Sequence, residues 1–357
     1  MTDSISNQSS QDDLDLARYS RQILYKHIGE TGQQMLGAAR VTLIGCGALG
    51  TVLANTLVRA GVGFLRIVDR DFVELNNLQR QVLFDEQDVT DGTPKAVAAA
   101  RQLARINSGM TVEPVVADVH SGNIESFLDS AQLILDGTDN FETRYLINDA
   151  AVKHGLPWIY GACVGDEGMV MPILPGRTPC LRCVFSEPPP PGTGQTCDTA
   201  GVLGPIVQIV ASLQIVEAFK ILTGQVDALN RNLVQISVWT GQYHSFEMQR
   251  AFDQGNCPCC KGGVYDYLSG EQAGHAVSLC GRDAVQVRPA SDSKIDLNAI
   301  AAKVRLVAKA PPTLNRYLLR FEVDNYEFTL FEDGRAIIKG TAEPEEGRSV
   351  YAKYVGA

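Results

Sequence analysis

The chain carries no excess of basic residues. Lys and Arg number 31 against 41 Asp and Glu, a formal charge of −10. Nucleic acid and anionic membranes both select a basic face, so neither is an expected partner. No stretch reads as membrane-spanning. The most apolar run, 201–216, falls short of the roughly 20 residues a helix needs to cross a bilayer, and it contains Gln208 and Gln214. Residues 1–15 are polar and acidic, without the apolar segment of a secretory signal. Nine cysteines and no such signal point to a reducing compartment, the cytoplasm. There, paired cysteines mean metal or catalysis more often than disulfides. A chain of 357 residues buries a full core without disulfides in any case. No internal repeat is present.

What the chain does have is strand–helix alternation. Residues 1–13 are expected to be disordered. Leu14 to Arg40 reads as helix, broken near Gly29 and Gly32. Buried strands are expected at VTLIG (41–45), FLRIVD (64–69), 112–119, LILD (133–136) and WIYGAC (158–163). Helices are expected between them, at 51–60, from Thr93 as N-cap and Pro94 as first residue to about Asn107, and at 141–154. This alternation predicts a Rossmann-like, doubly wound, mostly parallel α/β sheet. Met169–Leu174 and Leu233–Met248 read as an antiparallel extension. Between them lies a Pro- and Gly-rich crossover, 186–201, and Pro205 then opens a nearly all-apolar helix to Thr223 that is expected to be buried. We therefore expect an adenine-nucleotide or dinucleotide domain over 14–262 and a small α+β domain over 263–357. In the latter, Asp296 would cap a helix and Asp324-Asn325 and Asp333-Gly334 would turn hairpins.

Gly45-x-Gly47-x-x-Gly50 lies between a strand and a helix, where such a loop brings backbone N–H groups and a helix N-terminus to a phosphate. Asp69, at the end of the second strand, is placed to bind ribose hydroxyls. The loop alone does not separate a nicotinamide dehydrogenase from an ATP-using enzyme. The residues that follow favour ATP. Asn77 and Arg80 bring an amide and a guanidinium to the carboxyl edge of the sheet. Lys95, in a helix first turn, works against the helix dipole and calls for an anionic partner such as a triphosphate. Asp136 and Asp139 end the fourth strand, where a carboxylate beside phosphates can hold Mg²⁺.

Cys180-x-x-Cys183 and Cys257-x-x-Cys260 are two ligand pairs. This spacing lets two thiolates of each pair reach one tetrahedral Zn²⁺, and four thiolates close its shell, so the expected role is structural. Cys259 competes with its neighbours, and spacing favours Cys257 and Cys260. Cys46, Cys163 and Cys280 read as buried small hydrophobes.

RYSRQ (18–22), GCGALG (45–50), DRDFVELNNLQRQ (69–81), TPK (93–95), DGTDN (136–140) and the paired CxxC motifs together resemble the ThiF/MoeB/HesA family, relatives of the adenylation half of ubiquitin-activating enzymes. The resemblance covers about 14–261 and not 263–357, which also lacks the Cys-headed anion loop of a rhodanese domain. It implies ATP-dependent adenylation of the C-terminal glycine of a small ubiquitin-like sulfur carrier with a Gly-Gly end. The product would feed thiamine, molybdopterin or related sulfur transfer, and a sulfur-donor protein would act downstream. The resemblance assigns ribose binding to Asp69, phosphate contacts to Asn77, Arg80 and Lys95, and Mg²⁺ to Asp139. It has Arg21 reach ATP across a homodimer interface. Cys197 matches a cysteine that takes part in acyl or sulfur transfer in some members. A carrier carboxylate, with a reference pKa of roughly 3.5, is ionised at neutral pH and needs no general base. That agrees with the lack of a nucleophile–base pair near the loop. The competing readings are a nicotinamide-dependent oxidoreductase on the same loop and a binding module without catalysis.

Overall fold

The computed structural model describes residues 17–188, 200–270, 276–279, 284–287 and 295–355. The expected disorder of 1–13, Cys197, Cys280 and most of the crossover 186–201 lie outside the described residues. The chain divides into two compact units, the first ending and the second beginning near Glu271.

The first unit is built on an eight-stranded sheet. Its strands are β1 (Arg40–Ile44), β2 (Phe64–Asp69), β3 (Thr111–Val116), β4 (Leu133–Asp136), β5 (Trp158–Val164), β6 (Glu167–Ile173), β7 (Leu233–Ser237) and β8 (Gln242–Phe246). They lie in the order β3-β2-β1-β4-β5-β6-β7-β8. β1 to β5 are parallel and β6 to β8 extend the sheet antiparallel. The winding direction therefore reverses between β1 and β4, the switch point at which such sheets bind ligands. The expected fold class holds. β4, all of β1 but Arg40, and half of β2 are buried, as expected of strands covered by helices on both faces.

Three local expectations change. The helix read over 14–40 is broken among the described residues into helical residues 17–18, Ser20–Ile23 and Gly29–Ala38, and Arg40 already belongs to β1. Thr93 does not cap the next helix, which begins at Lys95. Its carbonyl accepts instead from the Val73 N–H at 3.0 Å, while the Lys95 N–H donates to the Asp71 carbonyl at 2.8 Å. A tertiary bridge replaces the local cap. The apolar helix, Gly204–Leu222, is long and apolar enough to cross a membrane by length and composition, beyond the shorter run counted from sequence. It packs along β5, β6 and the helix Ala48–Ala60. Only one side is buried: Ile209 and Val216 remain 39% and 48% exposed. Gln214, fully buried, donates to the carbonyls of Asp136 (2.9 Å) and Ile159 (3.2 Å), tying this helix to β4 and β5. Gly161 makes the close approach possible, since a Cβ there would lie 2.4 Å from the Gln214 amide carbon.

The first unit also continues past Gly262, the boundary read from sequence. Tyr265, Tyr267 and Leu268 pack on its core, the Tyr267 N–H donates to Asp149 at 3.0 Å, and Arg182 pairs with Asp266 at 2.9 Å.

The second unit is a six-stranded sheet of β9 (Ala276–Leu279), β10 (Ala284–Val287), β11 (Thr313–Leu314), β12 (Leu318–Val323), β13 (Tyr326–Phe331) and β14 (Ala336–Lys339), ordered β11-β12-β13-β14-β10-β9. Every neighbouring pair is antiparallel. One face carries Val285, Phe321, Phe328 and Leu330. The helices Leu297–Val304 and Pro344–Tyr354 cover it with Ile300, Val304, Val350 and Tyr351. Asp296 caps the first of these helices as expected, accepting from the N–H groups of Asn298 and Ala299. Asp324 and Gly334 adopt positive φ at the two hairpin turns.

Candidate functional site

The site lies at the carboxyl ends of β1, β2 and β4. After β1 the chain enters the Gly loop, and the helix Ala48–Ala60 begins at once. Gly45 has φ of +90°, a conformation other residues rarely adopt. A Cβ on Gly50 would lie 2.1 Å from the Gly45 carbonyl oxygen, so Gly50 too is dictated by packing within the protein. Gly47 is different. Its φ is −83°, and its nearest neighbour, Gln81 Nε2, would stand 3.9 Å from an added Cβ. Nothing inside the fold forbids a side chain there. The open space above Gly47 fits a loop whose middle glycine admits a phosphate.

Asp69 turns back onto this loop. Its carboxylate accepts from the N–H groups of Cys46 at 2.6 Å and Asp71 at 2.7 Å. A carboxylate has about four lone-pair sites, so acceptor capacity for ribose hydroxyls remains. Burial pushes the Asp69 carboxyl above its ordinary range, with Lys95 acting against that rise. Burial likewise pushes the Cys46 thiol up, reinforced by the Asp69 charge. Cys46 is a protonated, fully buried side chain, as expected for a small hydrophobe.

Lys95 is nearly buried, and its Nζ lies 3.3 Å from Asp71 Oδ2. Its partner in the structure is thus a carboxylate of the β2 exit loop, where sequence reading called only for a bound anion. The bridge between Phe72 and Pro94 holds the two segments side by side. Asn77, fully buried, organises the turn after β2: it accepts from the Glu74 N–H at 3.1 Å and donates to Asn76 at 2.8 Å. Arg80, half-buried, donates to the Asn76 carbonyl at 2.8 Å. Gln81 is buried beside the Gly loop with no hydrogen-bond partner for its Oε1. An orphaned buried acceptor at this place fits a ligand or water that completes the site.

Asp136 and Asp139, paired in the sequence reading, separate in the structure. Asp136 is completely buried and bound to Arg144, Nε to Oδ2 at 3.1 Å, and it accepts from the Thr138 N–H and hydroxyl. Burial raises its carboxyl, and Arg144 opposes the rise. Asp139 is exposed at the switch point, between Thr138 and Asn140, which caps the helix Phe141–His154. Arg144 also donates to the carbonyls of Thr138 (2.7 Å) and Gly161 (3.2 Å), clamping the loop that presents Asp139. Sequence reading missed Asp71, Gln81 and Arg144. Arg144 stands one helical turn past the DGTDN motif, and a lone Arg in a helix carries no signal of burial.

Arg21 sits in the helix Ser20–Ile23 with its side chain exposed.

The four cysteines assemble as expected. The sulfurs of Cys180, Cys183, Cys257 and Cys260 lie within 4.8 Å of one another. Close Sγ pairs are Cys183–Cys260 at 3.4 Å, Cys180–Cys257 at 3.6 Å and Cys180–Cys183 at 3.8 Å. Cys259 lies beside Cys180 but outside the set of four, donating to Asp149 at 3.4 Å and accepting from Asn148 at 3.3 Å. Asn148 also accepts the Leu181 N–H at 2.8 Å, which sets the Cys180–Cys183 knuckle. Such a set fits a tetrahedral, thiolate-preferring ion such as Zn²⁺. Cys163, expected to be buried, is only half-buried at the end of β5.

Residues 19–259 match the ThiF family. The chain is 44% identical over 339 residues to the sulfur carrier protein ThiS adenylyltransferase of Bacillus subtilis, covering 95% of this chain and 99% of that protein. An alignment of that length extends into the second unit. It is 40% identical over 256 residues to the SAMP-activating enzyme E1 of Haloferax volcanii, covering 71% of this chain and 93% of that one. Among solved structures it resembles E. coli MccB crystallised with ATP, with a TM-score of 0.57 at 26% identity, covering 68% of this chain and 74% of the other. With the Gly loop, Asp69 and the cysteine cluster at their places in a doubly wound sheet, and with these matches over two thirds of its length and more, the chain belongs to the ThiF family.

Proposed function

We propose that this protein is an adenylyltransferase. It would use ATP and Mg²⁺ to activate the C-terminal glycine of a small ubiquitin-like sulfur carrier in the cytoplasm. The observation that carries the reading is the meeting of an open Gly loop, Asp69, Lys95 and exposed Asp139 at one switch point. The N–H groups that open the helix Ala48–Ala60 bind phosphate. Asp69 binds ribose, and Asn77, Arg80 and Lys95 bind the phosphate chain. Asp139 holds Mg²⁺, which neutralises charge on the triphosphate when bound. One oxygen of the carrier carboxylate forms a bond to the α-phosphorus, and the bond from that phosphorus to pyrophosphate breaks. Lys95 and Arg80 bind the growing negative charge on the departing group. Catalysis is positioning and electrostatics, with no proton to move.

The working form is a homodimer. Its support is the unpaired apolar side of Gly204–Leu222, with Ile209 and Val216 exposed and Met35 exposed beside Gly224. In that dimer Arg21 reaches the partner's ATP. The four cysteines hold a structural Zn²⁺. Cys197 takes part in passing the activated carrier toward sulfur, and the second unit either recruits a downstream partner or supports the dimer.

The test is ATP–pyrophosphate exchange with Gly-Gly-ended carriers. We expect exchange that requires a carrier and is lost in Asp139→Ala. Protein that fails to bind ATP and supports no exchange overturns the reading. For the later step, Cys197→Ala should retain exchange and lose sulfur transfer.

A further inference from the structure

The sheet order fixes where each part of a nucleotide must lie. Under the reading above, phosphates sit at the end of β1, Mg²⁺ at the end of β4 and ribose at Asp69 on β2. The line runs outward along β4, β1 and β2, and the next strand is β3. The base therefore falls at the ends of β2 and β3. Two side chains meet there. Arg70, the residue after β2, donates from Nη1 to Asp118 Oδ1 at 3.0 Å, just beyond β3. Its Nε lies 3.8 Å from Asp71.

Asp118 is itself held. Its carbonyl accepts from Asn123 Nδ2 at 2.8 Å, and Asn123 Oδ1 accepts the His120 N–H at 2.8 Å. The guanidinium is thus tied to Asp118 by a hydrogen bond and lies beside the Asp71 carboxylate, while its side chain stays 28% exposed, against 14% for Asp118. A planar cation held through an N–H at its edge presents its plane, and an aromatic base stacks on such a plane.

We infer that Arg70 is the stacking platform for the nucleotide base and that Asp118 is the positioning residue that sets its plane. The inference rests on the nucleotide reading above and goes beyond it in assigning the base. Inorganic tripolyphosphate shares the charge of ATP and lacks a base, so it separates stacking from simple attraction.

The experiment is calorimetric titration of the full-length protein with ATP and, separately, with tripolyphosphate. Arg70→Ala should weaken ATP about tenfold and leave tripolyphosphate unchanged, which also shows that the variant is folded. Arg70→Lys, which keeps the charge and loses the plane, should weaken ATP nearly as much. Asp118→Asn should weaken ATP severalfold, with pyrophosphate exchange at saturating ATP preserved. Unchanged ATP affinity in Arg70→Ala and Arg70→Lys overturns the inference. So does an equal loss for both ligands, which would make Arg70 a general anion attractor. Wild-type protein that binds neither ligand overturns the nucleotide reading itself.

Discussion

Gly45 and Gly137 press backbone against backbone. A Cβ on Gly45 would lie 2.6 Å from the Gly137 carbonyl, and a Cβ on Gly137 would lie 2.5 Å from the Gly45 oxygen. The loop after β1 and the loop after β4 are therefore packed backbone to backbone. The phosphate-binding backbone and exposed Asp139 share a common frame.

The glycines of the motif should then behave differently. Gly45→Ala, Gly50→Ala and Gly137→Ala each force overlap with backbone. Each should lower stability by at least about 1–3 kcal/mol, the usual cost of overpacking, measured as a fall in the unfolding midpoint. Gly47→Ala meets no backbone. It should melt within a degree or two of wild type yet lose ATP affinity by about tenfold or more. A Gly47→Ala protein that binds ATP normally would show that no phosphate approaches this loop.

Arg144 and Asp136 form a buried pair. Arg144→Met leaves a buried carboxylate without its partner and should cost about 3–5 kcal/mol in denaturant unfolding. Asp136→Asn combined with Arg144→Met should recover part of that loss. Additive losses in this double-mutant cycle would mean that the two side chains are not coupled.

Asp69 is predicted to weaken the free protein as pH rises. Its folded pKa stands above the ordinary 3.8, chiefly through burial. Its stabilising contribution is thus complete below the unfolded value and lost as pH rises through the folded one. Asp69→Asn removes this titration, with a constant offset for the altered hydrogen bonding. The variant's melting temperature relative to wild type should climb through that window and then level off. Each kcal/mol corresponds to about 2–4 °C in a unit of this size. A flat difference from pH 3 to pH 7 would contradict the shift.

Metal content separates the cysteines. Wild-type protein should carry one Zn²⁺ per chain by elemental analysis. Cys183→Ala and Cys260→Ala should lose it and melt several degrees lower. Cys259→Ala should keep it, because the thiol of Cys259 is engaged by Asn148 and Asp149 and is not one of the four mutually close sulfurs. Retention of full zinc by Cys183→Ala would remove the four-cysteine site.

The sequence by itself determined what depends on near neighbours. Alternating strands and helices, Gly45-x-Gly47-x-x-Gly50, Asp69 at a strand end and two CxxC knuckles are all patterns within a few turns of chain. Their chemistry follows from spacing. Only the tertiary structure decided which charges meet. Lys95 found Asp71, Asp136 withdrew to Arg144 and left Asp139 outside, and Gln214 crossed from a distant helix to the carbonyls of β4 and β5. Burial made these choices. A charge or amide removed from water must be paired, and the partner is whichever group the packed strands bring near, however far away it lies in the chain.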